Sequence, residues 1–427
     1  MLAACVLFSM AGRGLTETFT VFLLPLVDEF QVERTSVTAI YSVQMLTTAL
    51  TGPLVGYLFD RFGVLRLYMC GTALQFCGLT LAGTADSLWQ VALGFGLCTG
   101  AAAATLGAVS HGALLARWFE GRAYSRNMSI VYAGFGFGSL LLVPLSQWLI
   151  GHFGWRYAYL ILAALLLTAL SPGFWLINWR RAQQGSPQWQ RRMQAQRQTA
   201  ADPETAIAAP GEDSLAEAIS AETGAGSPAF ASDPGPTLRQ ALRQSAFWGL
   251  SAVFFFTSAG MFSVMVQAVA YLVEHGYAPL EAASIYGLIG MLTPVGVIGF
   301  SWLDGRIGRQ ASVLASYFLS IAGLAALFAL SWWPHAALLW AFVLCVGFSF
   351  GARAPLIAST TARIFQGRQL GVILGCITLG AGSGTFSGSL AGAWLHDETG
   401  SYVAVFSFSA VTMLLGVLPF LTLRSLR

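Results

Sequence analysis

An internal repeat, written twice in the same direction, is the feature that most constrains how this chain can fold. Residues 116–122 read Ala-Arg-Trp-Phe-Glu-Gly-Arg and residues 362–368 read Ala-Arg-Ile-Phe-Gln-Gly-Arg, which sets an offset of 246 residues (362 − 116). Further identities at this offset or one residue less are Gly134 with Gly380, Gly136 with Gly382, Gly138 with Gly384, Trp148 with Trp394, Gly154 with Gly400, and Ile40-Tyr41 with Ile285-Tyr286. In a membrane protein, such a parallel repeat predicts two halves related by an axis along the membrane normal, with the substrate site between them.

The composition indicates that lipid, not water, surrounds most of this chain. Of the 427 residues, 56% are hydrophobic and 10% are charged, whereas an ordinary soluble protein carries about 25% charged residues. The six cysteines all fall in apolar stretches and show no metal-binding spacing, so we expect neither a disulfide framework nor a metal site or other cofactor. The sequence therefore predicts a membrane protein without a cofactor.

Apolar stretches long enough to cross a bilayer recur along the chain, and each needs about 20 residues. The sequence predicts an all-α membrane protein of two six-helix halves with twelve spans, near residues 2–27, 37–58, 66–85, 89–115, 127–150, 157–179, 246–272, 281–303, 310–331, 336–361, 370–395 and 402–423. The first stretch is predicted to be a span and not a signal peptide, because it lacks a basic start and a small-residue cleavage site.

The segment between the halves differs in composition from the rest. It is rich in Ala, Gln, Ser, Pro and Gly and poor in large apolar side chains, so it cannot bury enough surface to fold alone. We predict an N-terminal half over residues 1–182, a disordered cytoplasmic linker over 183–240 and a C-terminal half over 241–427.

The placement of the 22 basic residues, all of them arginine, predicts the orientation. With both termini in the cytoplasm, eighteen arginines fall in cytoplasmic segments and only Arg34 and Arg156 lie on the opposite side. Because cytoplasmic loops of membrane proteins carry an excess of Lys and Arg, the sequence predicts a multi-pass protein of the inner (plasma) membrane with both termini cytoplasmic. The other two arginines, Arg13 and Arg353, lie inside predicted spans.

A loop motif between the second and third spans suggests a family. Residues 56–63 read Gly-Tyr-Leu-Phe-Asp-Arg-Phe-Gly, which resembles the Gly-x-x-x-Asp-Arg-x-Gly loop of the major facilitator superfamily. Gly56 permits close helix contact and Asp60 can face the positive N-terminus of a neighbouring helix. The resemblance implies that Gly56, Asp60, Arg61 and Gly63 hold a cytoplasmic gate shut and separate when it opens. The alternative is a basic turn with no gating role.

The second half carries a disturbed copy of this loop. Asp304 stands one residue early, Gly305 takes the place of the expected aspartate, and Ser301 replaces the leading glycine. Asp304 and Arg306 are therefore predicted to form a second gate that is weaker or differently paired.

A longer resemblance narrows the family to one branch. The stretch from Ala116-Arg117-Trp118-Phe119 through Gly154-Trp155-Arg156 resembles the monocarboxylate-porter-like branch and its bacterial oxalate/formate relatives. The Gly-Pro pattern of drug/proton antiporters in span 5 and the arginine that many members carry early in span 4 are absent, as is the branch's arginine in span 8. The first two absences make drug efflux and sugar transport less favoured alternatives, and the third weakens the assignment of a monocarboxylate substrate.

Three charges inside predicted spans are the main candidates for a substrate site. Arg13 and Glu17 are four residues apart in span 1 and share a helix face, and Arg353 lies in span 10. A charge at mid-helix costs about 2.5–3.5 kcal/mol on insertion scales, so it is usually functional or paired. The resemblance implies that spans 1, 4, 7 and 10 line a central cavity. We therefore predict that Arg353, with Arg13 as a second candidate, binds a carboxylate, and that Glu17 is the protonatable partner, which holds an arginine when ionised. The alternative is a static Arg13–Glu17 pair, with Arg353 capped by backbone carbonyls.

Other polar residues in the spans are weaker candidates. His111 could carry a proton, and Gln267, Ser349 and Tyr132 could contact the substrate. Each could equally join helices, because polar side chains also hydrogen-bond between transmembrane helices.

The predicted function is secondary transport of a small organic anion, most simply a monocarboxylate, coupled to protons or to a counter-anion. The expected protein is a monomer in the bilayer that binds no nucleic acid. A drug-like amphipathic solute and a transporter-derived membrane sensor are the alternatives. An enzyme is not predicted, because neither a nucleophile–His–acid set nor an H-E-x-x-H motif is present.

Overall fold

The structure is a computed structural model that describes residues 2–119, 121–187, 189–191, 194, 236–365 and 370–423. The part of the chain described in this way is helical and contains no β-strand. Residues 2–191 are called the first half below, and residues 236–423 the second half.

The first half consists of apolar helices joined by short turns. In chain order they are α1 Leu2–Glu17, α2 Phe19–Phe30, α3 Arg34–Phe62, α4 Val64–Gly83, α5 Leu88–Val91, a π-helical stretch Ala92–Cys98, α6 Thr99–Thr105, α7 Ala108–Ala116, α8 Gly121–Leu176 and α9 Trp179–Gln184. Helix α8 turns sharply at Gly154, where φ is 81°, so it forms two rods.

The second half repeats this pattern. Its helices are α10 Leu238–Ala241, α11 Ser245–Met265, α12 Ala268–Glu274, α13 Pro279–Ile307, α14 Arg309–Ala329, α15 Ala336–Phe350, α16 Arg353–Ile364, α17 Leu370–Thr399 and α18 Tyr402–Thr422.

The tight turns of the two halves correspond to each other. Gly63 and Gly308 have φ of 80° and 82°, and Gly154 and Gly400 have φ of 81° and 61°. A positive φ is a conformation that glycine adopts without steric cost. Each pair is separated by 245 or 246 residues, so the repeat found in the sequence is also a repeat of backbone geometry.

Eight helical stretches in the described chain are long and apolar enough to cross a membrane. One of them, Arg126–Trp175, contains the turn at Gly154 and so supplies two rods. Exposed tryptophans such as Trp89, Trp302 and Trp394 lie near helix ends, where indole rings favour the headgroup level. The all-α membrane fold is thus confirmed, while the number of twelve spans stays a prediction.

Two faces of the molecule are named here for use below. The terminal face carries the turns at Gly63 and Gly308, and the helix ends near both chain termini lie beside it. The distal face is at the opposite end of these helices and carries Arg34, the first residue of α3.

The start of the predicted linker packs on the first half at the terminal face. The backbone N–H of Ser186 donates to the carbonyl of Arg117 at 2.8 Å, and the guanidinium of Arg117 lies 5.4 Å from the centre of the Trp189 ring. At the other end, a capping box at Thr237 begins α10. The segment 195–235 of the predicted linker lies outside the described residues.

Two long helix pairs form most of the contact between the halves: α3 packs along α17, and the first rod of α8 packs along α13. Helix α2 also touches α12. The backbones approach closely at glycines. A Cβ added at Gly136 would lie 2.5 Å from the carbonyl oxygen of Gly290, and one added at Gly382 would lie 2.3 Å from Cβ of Ala49. Small residues permit such backbone contact in membrane helices. These contacts lie near the middle of the helices and place the halves side by side.

Replacing Gly136 by alanine tests this contact. We expect the Gly136→Ala variant to unfold at a lower temperature in detergent, because its new methyl group meets backbone atoms that cannot rotate away; overpacking of this kind costs about 1–3 kcal/mol. The matched control is Gly151→Ala on the same rod, where an added Cβ meets nothing within 4 Å. Equal melting temperatures for the two variants would contradict the proposed close contact.

Candidate functional site

Interrupted helices carry the charges that the sequence singled out. Helix α1 ends at Glu17 and α2 begins at Phe19, while α11 and α12 are separated by Val266 and Gln267. The rods of spans 4 and 10 are broken at equivalent positions, before Ala108 and before Arg353. Substrate sites of membrane transporters are typically formed by such discontinuous helices.

Glu17 is the centre of a buried polar cluster between the halves. Its Oε1 lies 2.9 Å from Nη2 of Arg13, and its Oε2 accepts a hydrogen bond of 2.7 Å from the hydroxyl of Tyr286. Glu17 and Tyr286 are each 5% exposed, whereas the Arg13 side chain retains 30% of its surface. The ion pair expected from the spacing of Arg13 and Glu17 is present, and part of the Arg13 side chain remains accessible.

Aromatic rings from both halves surround this cluster. Tyr41 packs 5.6 Å from Phe19 and 6.3 Å from Phe262, measured between ring centres, and Phe262 lies 5.6 Å from Phe350. Tyr41 and Tyr286 are equivalent in the repeat. Tyr286 donates to Glu17, and Tyr41 packs against Phe19, two residues beyond Glu17.

Arg353 lies in a different place, inside the second half. It is 3% exposed, its Nη2 donates to Oγ of Ser320, and its guanidinium lies 4.7 Å from the centre of the Tyr317 ring. Ser320 in turn donates to Ser349 at 2.7 Å. The structure thus brings Arg353 and Ser349 together through Ser320, whereas none of the contacts described joins Arg353 to Arg13.

The surroundings of Arg353 leave it incompletely paired. Its Nε and Nη1 are buried and have no hydrogen-bond partner among the described residues. The side chain belongs to the first residue of α16, where the helix dipole disfavours a positive charge. An anion would satisfy both the free guanidinium edge and the helix terminus.

The remaining candidates are separated from one another. Gln267 is buried at the break between α11 and α12, and its Nε2 lies 3.4 Å from the carbonyl of Ser263. His111 is buried inside the first half, with Nδ1 at 2.6 Å from the hydroxyl of Tyr68. Tyr132 is 39% exposed and packs edge-on against Phe135. The described contacts connect none of Gln267, His111 and Tyr132 with Glu17.

The predicted gate residues on the terminal face form contacts within their own halves. Arg61 donates to the hydroxyl of Tyr57 at 2.9 Å, and Asp304 lies 3.7 Å from Arg309. Arg306 stacks 3.9 Å from the centre of the Trp302 ring. The side chain of Asp60 lies outside the described residues.

The halves are instead joined at the distal face by a cluster that the sequence did not reveal. The members of this distal cluster come from the starts of α3 and α18 and from the ends of α12 and α17, and they are Arg34, Thr35, Glu274, His396, Asp397 and Tyr402. Only Arg34 and Thr35 belong to the first half. A signal for the cluster did exist, because Arg34 was one of only two arginines predicted on this side.

The distal cluster is connected by ion pairs and short hydrogen bonds. Arg34 pairs with Glu274 and donates to the hydroxyl of Tyr402 at 2.7 Å. Asp397 accepts from both the backbone N–H and the hydroxyl of Thr35, at 2.7 and 2.6 Å. Tyr402 completes the set by donating to Glu274 at 2.9 Å. The distal face is therefore closed.

Contacts between the halves become sparse toward the terminal face. Below the distal cluster, the hydroxyls of Ser42 and Ser389 lie 2.7 Å apart, and Gly382 meets Ala49 near mid-helix. Farther along α3, a Cβ added at Gly52 or Gly56 would meet nothing within 4 Å. This side of α3 is therefore open toward the terminal face, whereas the opposite side stays packed on the first half at Val55 and Phe59.

Comparison with known proteins assigns the family. The sequence profile of the Major Facilitator Superfamily matches residues 2–362. The chain belongs to the major facilitator superfamily. This superfamily assignment makes the protein a multi-pass membrane transporter and not an enzyme. The prediction of a membrane transporter and the prediction that the protein is not an enzyme are both confirmed.

Curated relatives of this superfamily member are monocarboxylate transporters. Monocarboxylate transporter 13 of Bos taurus is 25% identical over 404 residues, which is 94% of this chain and 84% of the relative. Monocarboxylate transporter 12 of Rattus norvegicus is 28% identical over 426 residues, 97% of this chain and 82% of the relative.

A solved structure supports the same superfamily fold. A crystal structure of the peptide transporter POT, in a mutant form, superposes with a TM-score of 0.70 over 98% of this chain and 93% of that chain. The sequence identity is 14%, so this likeness bears on the fold alone.

Proposed function

We propose that this protein is a secondary active transporter of a small organic anion, most simply a monocarboxylate, which it moves by alternating access. The observation that carries the proposal is the Arg13–Glu17 ion pair at the break between α1 and α2, between the halves, with part of the Arg13 side chain accessible. Arginine binds carboxylates through two parallel hydrogen bonds. The names of the curated relatives support the same class of substrate.

The chemistry of the pair suggests how a proton could accompany the anion. Ionised Glu17 holds Arg13 and neutralises it. When Glu17 takes up a proton, Arg13 loses its counter-charge in an apolar setting, and the carboxylate of a substrate restores the balance. The same site can support exchange for a counter-anion, because a second anion that replaces the first at Arg13 also balances its charge.

Arg353 is proposed as a second anion contact. It keeps a buried and unpaired guanidinium edge in the conformation described, and it lies on a rod that the superfamily resemblance places at the cavity. The further proposed substrate contacts are Gln267, Ser349 and Tyr132. His111 is proposed as a second proton carrier.

The proposed orientation places the terminal face in the cytoplasm and the distal face outside. The arginine distribution supports this placement in an inner (plasma) membrane. With this orientation the structure corresponds to a carrier closed to the outside. The residues of the two loop motifs, Gly56, Asp60, Arg61, Gly63, Asp304 and Arg306, would then form the gate that closes in the opposite conformation.

Uptake into proteoliposomes tests the proposal. Purified protein is reconstituted, and radiolabelled lactate, pyruvate, formate and oxalate are offered with and without an inward proton gradient. Accumulation of one acid that follows the gradient supports proton symport, and uptake only against a preloaded anion supports exchange. Failure of every acid to move in either format would refute the carboxylate assignment.

Replacing Arg353 by glutamine tests the second contact. We expect initial uptake to fall about tenfold or more, since a hydrogen bond to a charged group is worth roughly 1.5–3 kcal/mol. Melting temperature and reconstitution yield should stay close to wild type, because glutamine can still donate to Ser320. Arg239→Gln, at an exposed arginine, is the matched control. Unchanged uptake by Arg353→Gln would remove Arg353 from the site.

A further inference from the structure

His396 lies at the junction of the two halves within the distal cluster. Its Nε2 is 3.5 Å from Nη1 of Arg34, which belongs to the first half, and its Nδ1 is 3.9 Å from Oδ1 of Asp397 in its own helix. The ring also packs 4.5 Å from that of Tyr402, measured between ring centres. His396 therefore contacts the first half through one ring nitrogen and the second half through the other.

The contact with Arg34 requires one protonation state of His396. A guanidinium carries only N–H donors, so Nε2 must accept, and the ring must be neutral with its proton on Nδ1. A protonated ring would carry an N–H at Nε2 as well, and two donors on positively charged groups would then face each other. Protonation of His396 is therefore incompatible with its contact to Arg34.

The charges around His396 determine which form of the protein its protonation favours. The charged and titratable groups that face it, one from each neighbouring helix, are Arg34 from α3, Glu274 from α12, Asp397 from α17 and Tyr402 from α18. Both carboxylates belong to the same half as His396, so their attraction for a protonated ring persists when the halves separate. The repulsion from Arg34 exists only while the halves are in contact, and protonation therefore favours separation at the distal face.

We infer that His396 is a pH-sensitive switch of the distal face, which holds this face closed when neutral and releases it when protonated. The inference rests on the proposed function, in which the distal face lies outside. Among the residue types of the distal cluster, histidine is the one that ordinarily changes its charge between pH 5 and 8. An acidic exterior thus increases the share of carriers that are open to the outside.

The test follows the reactivity of Ser42→Cys toward a thiol reagent, in a background without the six native cysteines and with the protein in lipid nanodiscs. Ser42 is buried beneath the distal cluster, so its rate reports opening of that face. The thiolate is the reactive form of cysteine, and its share falls with pH. Each rate is therefore divided by that of Ser331→Cys, an exposed position at the same face.

Three substitutions of histidine are compared with the unsubstituted protein. His396→Gln keeps an oxygen that can accept from Arg34 but cannot take up a proton, and His396→Lys carries a positive charge across the whole pH range. The matched control is His335→Gln. His335 is exposed directly before α15, and none of the contacts described joins it to the distal cluster.

We expect the normalised rate of the unsubstituted protein to rise about fivefold between about pH 8 and about pH 5.5, the size of one partly screened charge contact. His396→Gln should react slowly and His396→Lys rapidly at every pH, while His335→Gln should keep the full rise. Equal rises with and without His396, no rise in the unsubstituted protein, or slow reaction of His396→Lys would overturn the inference. Because the measurement needs no substrate, it can refute the switch while the carboxylate assignment stands, and the switch can stand if no tested acid is transported.

Discussion

Replacing Arg13 by glutamine is expected to reduce uptake of the transported acid about 10- to 100-fold, the largest effect of any single substitution in the protein. The range corresponds to the 1.5–3 kcal/mol of a charge-assisted contact. Glutamine keeps the length of the side chain but cannot bind a carboxylate with two parallel charged hydrogen bonds. The measurement is the initial rate of uptake into proteoliposomes at saturating and at low substrate concentration.

Two further variants separate binding from folding at this position. Arg13→Lys keeps the charge and the ion pair with Glu17 but loses the planar fork, so we expect weaker substrate binding in a stable protein. Arg156→Gln is the matched control, because the Arg156–Glu29 pair is exposed at the distal side of the first half. Full activity of well-folded Arg13→Gln would show that the anion binds elsewhere.

Breaking the distal cluster is expected to produce the second large effect, a shift toward a form open at the distal face. Arg34→Gln removes the positive charge from the contacts to Glu274 and Tyr402. Asp397→Asn removes the negative charge that accepts both hydrogen bonds from Thr35. After solvent screening we expect each change to weaken closure by about 1–2 kcal/mol, or about 5- to 30-fold in population.

The labelling rate of a cysteine at Ser42 measures this shift. Ser42 is buried beneath the distal cluster against Ser389, so its thiol should react slowly in the closed form and roughly in proportion to the open population. The control is Asp304→Asn, which removes an ion pair that lies within the second half at the terminal face. Equal labelling in Arg34→Gln, Asp397→Asn and this control would mean that the distal cluster does not hold the face closed.

The sequence predicted those parts of the molecule that depend on local pattern. The repeat identified Gly154 and Gly400 as equivalent, and both adopt a positive φ. The four-residue spacing of Arg13 and Glu17 predicted a pair that the structure contains. The ion pair follows from helix geometry, because residues four apart share a face. The glycine turns follow from the repeat, because equivalent positions in the two halves have similar backbone conformations.

The parts that were missed depend on contacts between the halves. The sequence shows Tyr286 as a repeat identity, but a tyrosine in an apolar helix carries no sign that a carboxylate lies opposite. Arg34 stands out in the sequence only as an exception to the charge bias, because its partners Glu274 and Tyr402 are 240 and 368 residues away. Arg353 was recognised as an intramembrane charge, yet its direction toward Ser320 depends on how α14 packs against α16.

The glycine contacts at mid-helix determine how such a carrier can respond to its surroundings. Gly136 meets Gly290, and Gly382 meets Ala49, through backbone atoms and methyl groups only. These residues have no side chain that titrates or attracts salt. These contacts between the halves should therefore behave alike in acidic, neutral or saline media, and we expect any sensitivity of transport to those media to arise from the charged groups on either side of them.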